Sequence, residues 1–289
     1  MPGSISVWDI NTFIRLSLEE DIRNGDITSL ACISKNSISK ALLKVKDDGV
    51  LAGVDFTKKL IDFVDPGIEM KVFIPDGSYV KHGDIAFELT GSSRNLLYSE
   101  RLILNTMQRM SGIATLSDRF RNEVSGLNVK ILDTRKTSPL FRNLEKWAVR
   151  IGGCYNYRDG LYDWFMIKDN HIAAAGSITK AIHKVNNYKE KKNLQHIGIT
   201  VEVKNLIEVE EVMKVGDVTR IMLDNFEIPL LKEGVSIINK RFETEASGGI
   251  NLQNVRSYAL TGVDFISVGA LTHSAGSLDL SLKIQEHKN

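Results

Sequence analysis

The chain has 289 residues, of which 43% are hydrophobic and 25% charged, as expected for a folded protein with a sizeable core. Its formal net charge of +1 excludes a general electrostatic attraction to nucleic acid or to an anionic membrane, so any preference for anions must be local. Two cysteines are too few for a disulfide framework, residues 1–13 lack the pattern of a secretory signal, and no apolar run is long enough to span a bilayer. We therefore expect a cytoplasmic protein that binds neither nucleic acid nor membrane.

The first 121 residues contain helical and β-rich stretches. Residues 5–30 are predicted to form a helix that ends near Asn24 and Gly25, after which Asp26 or Thr28 can cap a second one. Residues 40–89 consist of short alternating segments separated by glycine and proline turns, which is typical of a β-rich module. Residues 93–121 predict a long helix, whose small residues around Gly112 would allow close packing.

After residue 128 the pattern changes to strand, loop and helix, repeated. Candidate strand ends recur about every 22 residues, at positions 202, 224, 247 and 269. This repeat predicts a (β/α) barrel or a close relative, with a doubly wound sheet as the alternative architecture. We favour the barrel because polar or glycine residues follow every strand, rather than being confined to one switch point.

Cationic side chains are concentrated in residues 133–171. Arg135 and Lys136 follow the apolar run 129–132, and Lys168 follows the apolar run 165–167. A predicted helix over 144–151 lies between them, followed by a glycine turn and then by Tyr157 and Arg158. A solvated charged surface is the alternative, but charges that follow buried strands favour a site for a small polyanion.

In a barrel, the carboxyl ends of all strands meet at one mouth. Glu202 and Asp224 could hold Mg²⁺ there with substrate phosphates, or they could form structural ion pairs with Lys168 and Lys136. The loops 247–249 and 268–270 would expose backbone N–H groups where such barrels bind phosphate. Composition and spacing thus predict a phosphorylated, anionic substrate without naming the reaction.

Ordered motifs along nearly the whole chain resemble the quinolinate phosphoribosyltransferase family, the carboxylating nicotinate-nucleotide pyrophosphorylases of NAD synthesis. The motifs that carry the resemblance are Glu20-Asp21 with Gly25-Asp26-Ile27-Thr28, Glu100-Arg101 with Leu104-Asn105, Ser111 to Thr115, Asp133 to Thr137, Leu144-Glu145-Lys146, Lys168 to His171, Glu202, Leu223-Asp224-Asn225, Ser247 to Ile250, and Leu271 to Ser274.

The resemblance implies an α/β fold with an N-terminal α/β sandwich domain and an incomplete, seven-stranded (β/α) barrel. The sandwich domain would comprise residues 1–112 joined by the tail 275–289, and the barrel residues 113–274. The implied reaction transfers the phosphoribosyl group of 5-phosphoribosyl-1-diphosphate (PRPP) to quinolinate, releasing diphosphate and CO₂ and forming nicotinate mononucleotide. Mg²⁺ would accompany PRPP, no organic cofactor is expected, and the protein would be a homodimer.

The resemblance also implies roles for individual residues. Lys136, Glu202 and Asp224 would be catalytic, and Glu202 and Asp224 would also hold ribose hydroxyls or the metal. Arg101 would reach the site of the partner subunit, and His273 would belong to the site as well. The substrate-binding residues would be Arg101, Thr134, Arg135, Lys136, Tyr157, Arg158, Lys168, Glu202 and Asp224; the phosphate-binding residues would be Ser247, Gly248, Gly249, Val268, Gly269 and Ala270.

The chain departs from the family pattern at two places. Tyr157 stands where the family has a histidine that helps to bind a substrate carboxylate, and a neutral phenol carries no positive charge there. We therefore expect weaker quinolinate binding or a different aromatic acid. Leu140 replaces a glycine after Pro139, which would reshape that loop, and Cys154 occupies a third-glycine position as a filler rather than a nucleophile. A paralogous transferase for another acid and a catalytically silent binding homologue are the alternative functions.

Overall fold

The computed structural model describes residues 9–285, and these form two compact units. The first unit contains the chain up to Leu116, the segment Ser138–Gly152 and the residues from Ala275 onward. The second unit contains Ser117–Thr137 and Gly153–Ser274. Residues 5–8 of the predicted first helix lie outside the described residues.

Residues 9–285 form helices and strands in the following order. Up to residue 123 they are α1 (Ile10–Ile22), α2 (Ile27–Cys32), β1 (Ile38–Val45), β2 (Gly49–Val50), α3 (Val54–Val64), β3 (Glu69–Val72), β4 (Tyr79–Val80), β5 (Ile85–Ser92) and α4 (Ser93–Glu123). Then follow β6 (Lys130–Leu132), α5 (Arg142–Ile151), β7 (Phe165–Ile167), α6 (Asp169–Ala175), α7 (Ile178–Lys192), β8 (Ile199–Val203), α8 (Leu206–Val215), β9 (Arg220–Asp224), α9 (Ile228–Ile238), β10 (Glu243–Ser247), α10 (Val255–Ala259), β11 (Phe265–Ser267), α11 (Ala270–His273) and β12 (Leu280–Ile284).

The first unit contains an antiparallel sheet in the order β12-β1-β5-β3 and a small β2-β4 pair. Alternate residues of β1, namely Ala41, Leu43 and Val45, are fully buried, so one face of this sheet packs into a core. The predicted close packing of α4 is confirmed, because a Cβ on Gly112 would lie only 1.9 Å from the carbonyl oxygen of Gly276.

Helix α3 lies within the stretch that we interpreted as β-rich, and it was not predicted. Its amino end is capped from a distance: the carboxylate of Asp76 accepts the backbone N–H groups of Val54 at 2.8 Å and Asp55 at 3.2 Å. The residue at the cap position is Gly53, with φ +105°. Glycine has no side chain that could cap the helix, so the sequence next to the helix does not indicate where it begins. A cap that comes from residue 76 has no local sequence signal.

The second unit is a parallel sheet in the order β6-β11-β10-β9-β8-β7. Its first strand in the chain lies beside its last, while the other strands are neighbours in sequence order, as in a barrel. A doubly wound sheet would instead reverse its strand order at a switch point, so the barrel prediction is correct. The seven-stranded expectation needs correction: within the described residues the parallel sheet of the second unit has six strands, and one further parallel bridge joins Leu132 to Tyr155.

The division into units differs from the predicted domain boundaries at two segments, residues 113–116 and residues 138–152. The sequence placed residues 138–152 in the barrel domain, whereas the structure groups them with the first unit. Helix α5 is tied there by its Glu145, which accepts hydrogen bonds from the Arg109 guanidinium at 2.9 and 3.1 Å. Strand β12 of the tail pairs with β1 in the same unit. None of the helices between residues 9 and 285 has the length and apolar character needed to cross a membrane.

Candidate active site

The carboxyl ends of the barrel strands surround a cavity of about 740 Å³. Each strand places at this mouth a residue that lies within two positions of its carboxyl end. Polar, charged and small residues make up most of its lining. They are Thr134, Arg135, Lys136, Tyr157, Arg158, Lys168, Glu202, Asp224, Asn225, Ser247, Gly248, Gly249, Ser267, Gly269, Ala270 and His273.

Two guanidinium groups give one wall of the cavity its positive charge. Burial and the neighbouring charge of Arg135 both lower the pKa of Arg158, although a guanidinium stays protonated at any physiological pH. The Nε atom of Arg135 is buried and has no hydrogen-bond partner among the described residues. A buried donor beside a second like charge favours an anionic ligand, whose binding would satisfy the donor and relieve the repulsion.

Lys136 lies on the same loop and is held through its backbone. Its N–H donates to the Thr134 hydroxyl at 3.1 Å, and its carbonyl accepts the Thr272 hydroxyl at 2.8 Å. The Lys136 side chain passes close to Gly269, where a Cβ would lie 3.1 Å from the lysine Cδ. A fixed backbone and an exposed ammonium suit a residue that must reach a bound phosphate or carboxylate.

Lys168 and Glu202 form an ion pair with 2.5 Å between Nζ and Oε2. The Glu202 side chain is only 10% exposed, whereas that of Lys168 is 41% exposed, so the pair is accessible from the lysine side. The backbone N–H of Lys168 also donates to Nδ1 of His171 at 3.1 Å, which fixes the start of α6. Of the two predicted roles for Glu202, the ion pair is therefore present in the structure.

Asp224 ends β9 and receives a hydrogen bond from the Asn225 amide at 2.7 Å. Among residues 9–285 there is no group of three or more His, Cys, Asp or Glu side chains that could hold a metal. A complete protein cage for a cation is thus absent from this part of the chain. Two carboxylates at one mouth nevertheless fit Mg²⁺, which commonly takes one or two carboxylates and completes its shell with water and substrate phosphate.

The first glycine loop depends on backbone geometry. Gly248 has φ +95°, and a Cβ there would lie 2.2 Å from Oδ1 of Asn225. Gly249 has φ +61°, but a Cβ there would meet open space. Asn225 is itself left-handed and donates its N–H to the Ser247 carbonyl at 2.8 Å. The loop therefore brings backbone close to the cavity, as phosphate binding requires.

The second glycine loop corrects one predicted residue. Val268 is 1% exposed, and its N–H donates to the carbonyl of Leu132 at 2.9 Å, so it has no group to offer to a phosphate. Gly269 and Ala270 do line the cavity, at the start of α11. His273 lines it too, with Nδ1 at 2.6 Å from the Ser274 hydroxyl.

Tyr157 lines the cavity, but its hydroxyl is already engaged. The hydroxyl lies 2.6 Å from that of Thr200 and also hydrogen-bonds the Glu245 carboxylate. Burial, and then the negative charge of Glu245, raise the pKa of Tyr157, so the phenol stays neutral. The backbone N–H of Tyr157 donates to Asp133 at 2.8 Å. A contact between this hydroxyl and a substrate carboxylate would therefore require breaking existing hydrogen bonds.

A buried polar network beneath the cavity was not predicted. Arg220 donates to Glu245 at 3.0 Å, and the Ser267 hydroxyl donates to the same carboxylate at 2.5 Å. The Arg220 guanidinium also lies 5.1 Å from the Tyr157 ring and 3.7 Å from the Phe265 ring. No local signal marked these residues, because Arg220 is the first residue of β9 and Glu245 lies in β10 among the polar Glu243, Thr244 and Ser247.

Two further predicted residues lie apart from the cavity chemistry. Arg101 is exposed on α4, in the first unit, and does not line the cavity. Cys154 is buried, with Sγ donating to the Ser117 carbonyl at 3.2 Å. Burial raises the pKa of its thiol to about 12, which excludes a reactive thiolate near neutral pH and agrees with the filler role.

The family models that match this chain are the N-terminal and C-terminal domains of quinolinate phosphoribosyl transferase, over residues 26–111 and 113–283. The chain belongs to the quinolinate phosphoribosyl transferase family. This confirms the resemblance deduced from the motifs, and the C-terminal model spans the entire barrel mouth.

Individual members of the quinolinate phosphoribosyl transferase family match over almost the whole chain. A chloroplastic carboxylating nicotinate-nucleotide pyrophosphorylase of Arabidopsis thaliana is 43% identical, covering 98% of this chain and 85% of the relative. A probable carboxylating nicotinate-nucleotide pyrophosphorylase of Bacillus subtilis is 40% identical, covering 92% of this chain and 90% of the relative.

Solved structures of this family share the fold. NadC from Streptococcus pyogenes is 35% identical with a TM-score of 0.89, covering 98% of this chain and 99% of that one. The nicotinate-nucleotide pyrophosphorylase from Francisella tularensis is 38% identical with a TM-score of 0.88, covering 96% of both chains. The mixed α/β fold predicted from the sequence is thereby confirmed.

Proposed function

We propose that this protein is the phosphoribosyltransferase that converts quinolinate and PRPP into nicotinate mononucleotide, diphosphate and CO₂. The observation that carries the proposal is the pair Arg135 and Arg158 at the barrel mouth, with one buried guanidinium donor unpaired. Relatives at 40–43% identity over nearly the full length bear the name of this activity. The proposed substrates have the two features that the cavity can recognise: a planar dicarboxylate and a phosphorylated sugar.

Quinolinate would bind against the cationic wall. Guanidinium groups bind carboxylates through two parallel hydrogen bonds, and two of them can match the two adjacent carboxylates of a pyridine-2,3-dicarboxylate. Lys168 would add a third positive charge, although Glu202 neutralises part of it. In this arrangement Tyr157 contributes its ring rather than its engaged hydroxyl.

PRPP would bind across the remaining strand ends. Its 5′-phosphate would lie against the backbone of Gly248, Gly249 and Gly269, which have no side chains of their own. Glu202 and Asp224 would accept hydrogen bonds from the ribose hydroxyls. Lys136, on its fixed backbone, would approach the diphosphate and stabilise its departure.

We include Mg²⁺ as a companion of PRPP, held by Asp224 and Glu202 together with substrate oxygens. When bound, the ion would neutralise charge on the departing diphosphate. Because the protein supplies few ligands of its own, we expect metal binding to depend on PRPP. No organic cofactor is part of the proposal.

The reaction balances with one proton from the solvent as the only further reactant. The pyridine nitrogen forms a bond to ribose C1 while the bond from C1 to the diphosphate oxygen breaks, and the diphosphate leaves with that electron pair. The bond between ring C2 and its carboxylate then breaks, which releases CO₂ and leaves an electron pair on C2 that takes up one proton. The cationic wall stabilises the carboxylate that remains at C3.

The experiment that tests this function is the formation of nicotinate mononucleotide by the purified protein with quinolinate, PRPP and Mg²⁺. We expect turnover that depends on all three, and a loss of at least 100-fold in kcat/KM for Lys136→Met. Lys214→Met, a change at an exposed lysine near the end of α8, should leave kcat/KM unchanged. PRPP binding without quinolinate binding or turnover would overturn the proposal.

A second candidate is a related phosphoribosyltransferase for another aromatic acid. The observation that favours it is Tyr157, a neutral residue at the position where the family pattern has histidine. Monocarboxylic pyridine acids offered as competing acceptors separate the two candidates, because an enzyme for another acid would prefer one of them over quinolinate.

We further propose a homodimer in which Arg101, exposed on α4, serves the site of the partner subunit. Its support is the absence of Arg101 from the cavity of its own chain, although the residue lies in a motif shared with the family. A cytoplasmic location is also proposed, on the low cysteine content alone. Mixed dimers of an Arg101→Ala chain and a Lys136→Met chain would test the shared site, because activity should return in part.

A further inference from the structure

The guanidinium of Arg158 is carried by a loop, yet it must be placed precisely to meet a carboxylate. The loop runs from Gly153 to Trp164, between α5 and β7. Arg158 Nη1 donates to the backbone carbonyl of Trp164 at 3.1 Å, so the far end of the loop holds the guanidinium. Loops move more than the strands that carry them, so the position of this group depends on how the loop is fastened.

One hydroxyl on the barrel holds this loop at two points, Tyr157 and Trp164. Thr200, in β8, is fully buried, and its Oγ1 accepts the indole N–H of Trp164 at 2.9 Å. The same Oγ1 lies 2.6 Å from the hydroxyl of Tyr157, the residue just before Arg158. The rings of Tyr157 and Trp164 pack edge to face with 6.3 Å between centroids, so the two fastened residues also support each other.

The hydrogen bonds form a chain that is centred on Thr200. The indole of Trp164 can only donate, so Thr200 accepts from it, whereas in the bond between Thr200 and Tyr157 either hydroxyl can be the donor. When Thr200 donates, the Tyr157 proton is available to Glu245, which already accepts bonds from Arg220 and Ser267. In either direction, removing the Thr200 hydroxyl takes the acceptor from the Trp164 indole and one hydrogen bond from Tyr157.

We propose that Thr200 is a positioning residue for the acceptor substrate: its hydroxyl holds Tyr157 and Trp164, and through them the guanidinium of Arg158. The inference rests on the proposed function for the identity of the acceptor, quinolinate. Thr200 itself does not line the cavity, so it acts through Arg158 rather than by contact with the substrate. The glycine loops and Lys136 lie outside the network, so PRPP binding should be independent of Thr200.

The test is Thr200→Val, which keeps the shape of the side chain and removes the hydroxyl. We expect the KM for quinolinate to rise at least tenfold while the KM for PRPP stays within twofold. Calorimetric affinity for quinolinate should fall by the same factor as KM rises. Thr200→Ser, which restores the hydroxyl, should bring both values for quinolinate back to within threefold of the wild type.

Thr244→Val is the matched control. Thr244 is another buried strand threonine with a hydroxyl bond, donated to Asp264 at 2.7 Å, but it has no part in this network. It should lower the melting temperature without changing either KM. The inference would be overturned if Thr200→Val and Thr244→Val both raised the KM for quinolinate and the KM for PRPP to a similar extent. The role of Thr200 would then be structural.

A second readout does not depend on the substrate. Hydrogen exchange of the segment 155–165 should accelerate at least tenfold in Thr200→Val and remain unchanged in Thr244→Val. Unchanged exchange in Thr200→Val contradicts the positioning role even if the enzyme is active. If instead the wild type neither binds nor converts quinolinate while exchange accelerates as expected, the loop is fastened as inferred and the proposed function is what fails.

Discussion

Lys168 Nζ lies 2.5 Å from Glu202 Oε2 at the ends of the neighbouring strands β7 and β8. Both residues were predicted to act on substrates, yet in the structure each is the other's partner. A pair that is mostly buried on the acid side and open on the lysine side can exchange its partner for a substrate at modest cost. Substrate binding by Lys168 or Glu202 would therefore compete with the ion pair between them.

The first prediction concerns this pair. Lys168→Met and Glu202→Gln should each lower kcat/KM at least 100-fold, because each change removes a proposed substrate contact and also breaks the ion pair that holds the partner in place. The double variant should be little worse than either single variant, since the two residues act as a unit. Steady-state kinetics of the four proteins measure the coupling. Fully additive losses would show that the residues act separately.

The second prediction separates the two glycines of the phosphate loop. Gly248→Ala places a Cβ 2.2 Å from Asn225 at φ +95°, so the loop must move. Gly249→Ala meets no atom and adopts an ordinary left-handed φ of +61°, at a cost of roughly 1 kcal/mol. We expect the KM for PRPP to rise at least tenfold in the former and less than threefold in the latter. Equal increases in the KM for PRPP in the two variants would show that Gly248 is not needed to leave room for the Asn225 side chain.

The third prediction concerns pH. The pKa of Tyr157 is raised by burial, so this phenol is neutral throughout the working range and contributes no titration to binding. Tyr157→His introduces a group that gains charge as pH falls through roughly 6–7. Because a cation favours a dicarboxylate, quinolinate affinity relative to the wild type should increase from pH 8 to pH 6. Calorimetry at several pH values measures this ratio, and a flat ratio with no gain in affinity would contradict the role given to residue 157.

The fourth prediction concerns the two thiols. Cys32 is exposed, whereas Cys154 is buried with a pKa raised to about 12. An alkylating reagent should therefore modify Cys32 in the native protein and reach Cys154 only after unfolding. Peptide mass mapping before and after denaturation distinguishes the sites. Cys154→Ala should retain turnover, and its inactivation would show a role beyond filling space.

The fifth prediction concerns the stability of the first unit. Glu145 is fully buried and accepts bonds from Arg109, from the Ser138 backbone and from the Ser138 hydroxyl. Glu145→Ala should lower the free energy of unfolding by about 2–4 kcal/mol, because it leaves Arg109 and Ser138 without their acceptor. The loss is limited because the Arg109 side chain is 25% exposed and keeps some access to water. Glu19→Ala breaks the exposed pair with Arg15 and should cost less than about 0.5 kcal/mol. Denaturant unfolding of both variants gives the comparison, and similar losses would contradict it.

The sequence predicted most of the barrel because its signals are local. The runs predicted to end at Glu202, Asp224 and Ser247 correspond to β8, β9 and β10, and their spacing is that of one strand with one helix. The cationic and glycine residues at those ends could be assigned to one mouth because parallel strands share their carboxyl edge.

The remaining features depend on contacts between distant residues. The cap on α3 comes from Asp76, the bridge at Tyr155 replaces a strand, and the N–H of Val268 is used by Leu132. The inward direction of the Tyr157 hydroxyl likewise follows from Thr200, more than 40 positions away in the chain. Pattern and propensity carry no information about such pairings, so only the folded chain reveals them.

The measurement that tests the proposed reaction most directly is the fate of labelled carboxylates. Quinolinate labelled at the 2-carboxylate should release its label as CO₂, in equal amount to the nicotinate mononucleotide formed, and only when PRPP and Mg²⁺ are present. Quinolinate labelled at the 3-carboxylate should keep its label in the nucleotide. Arg158→Gln should lower the release of labelled CO₂ and the formation of labelled nucleotide by the same factor. A nucleotide that retains the 2-carboxylate label, or no nucleotide at all, would contradict the assignment of this protein as a carboxylating nicotinate-nucleotide pyrophosphorylase.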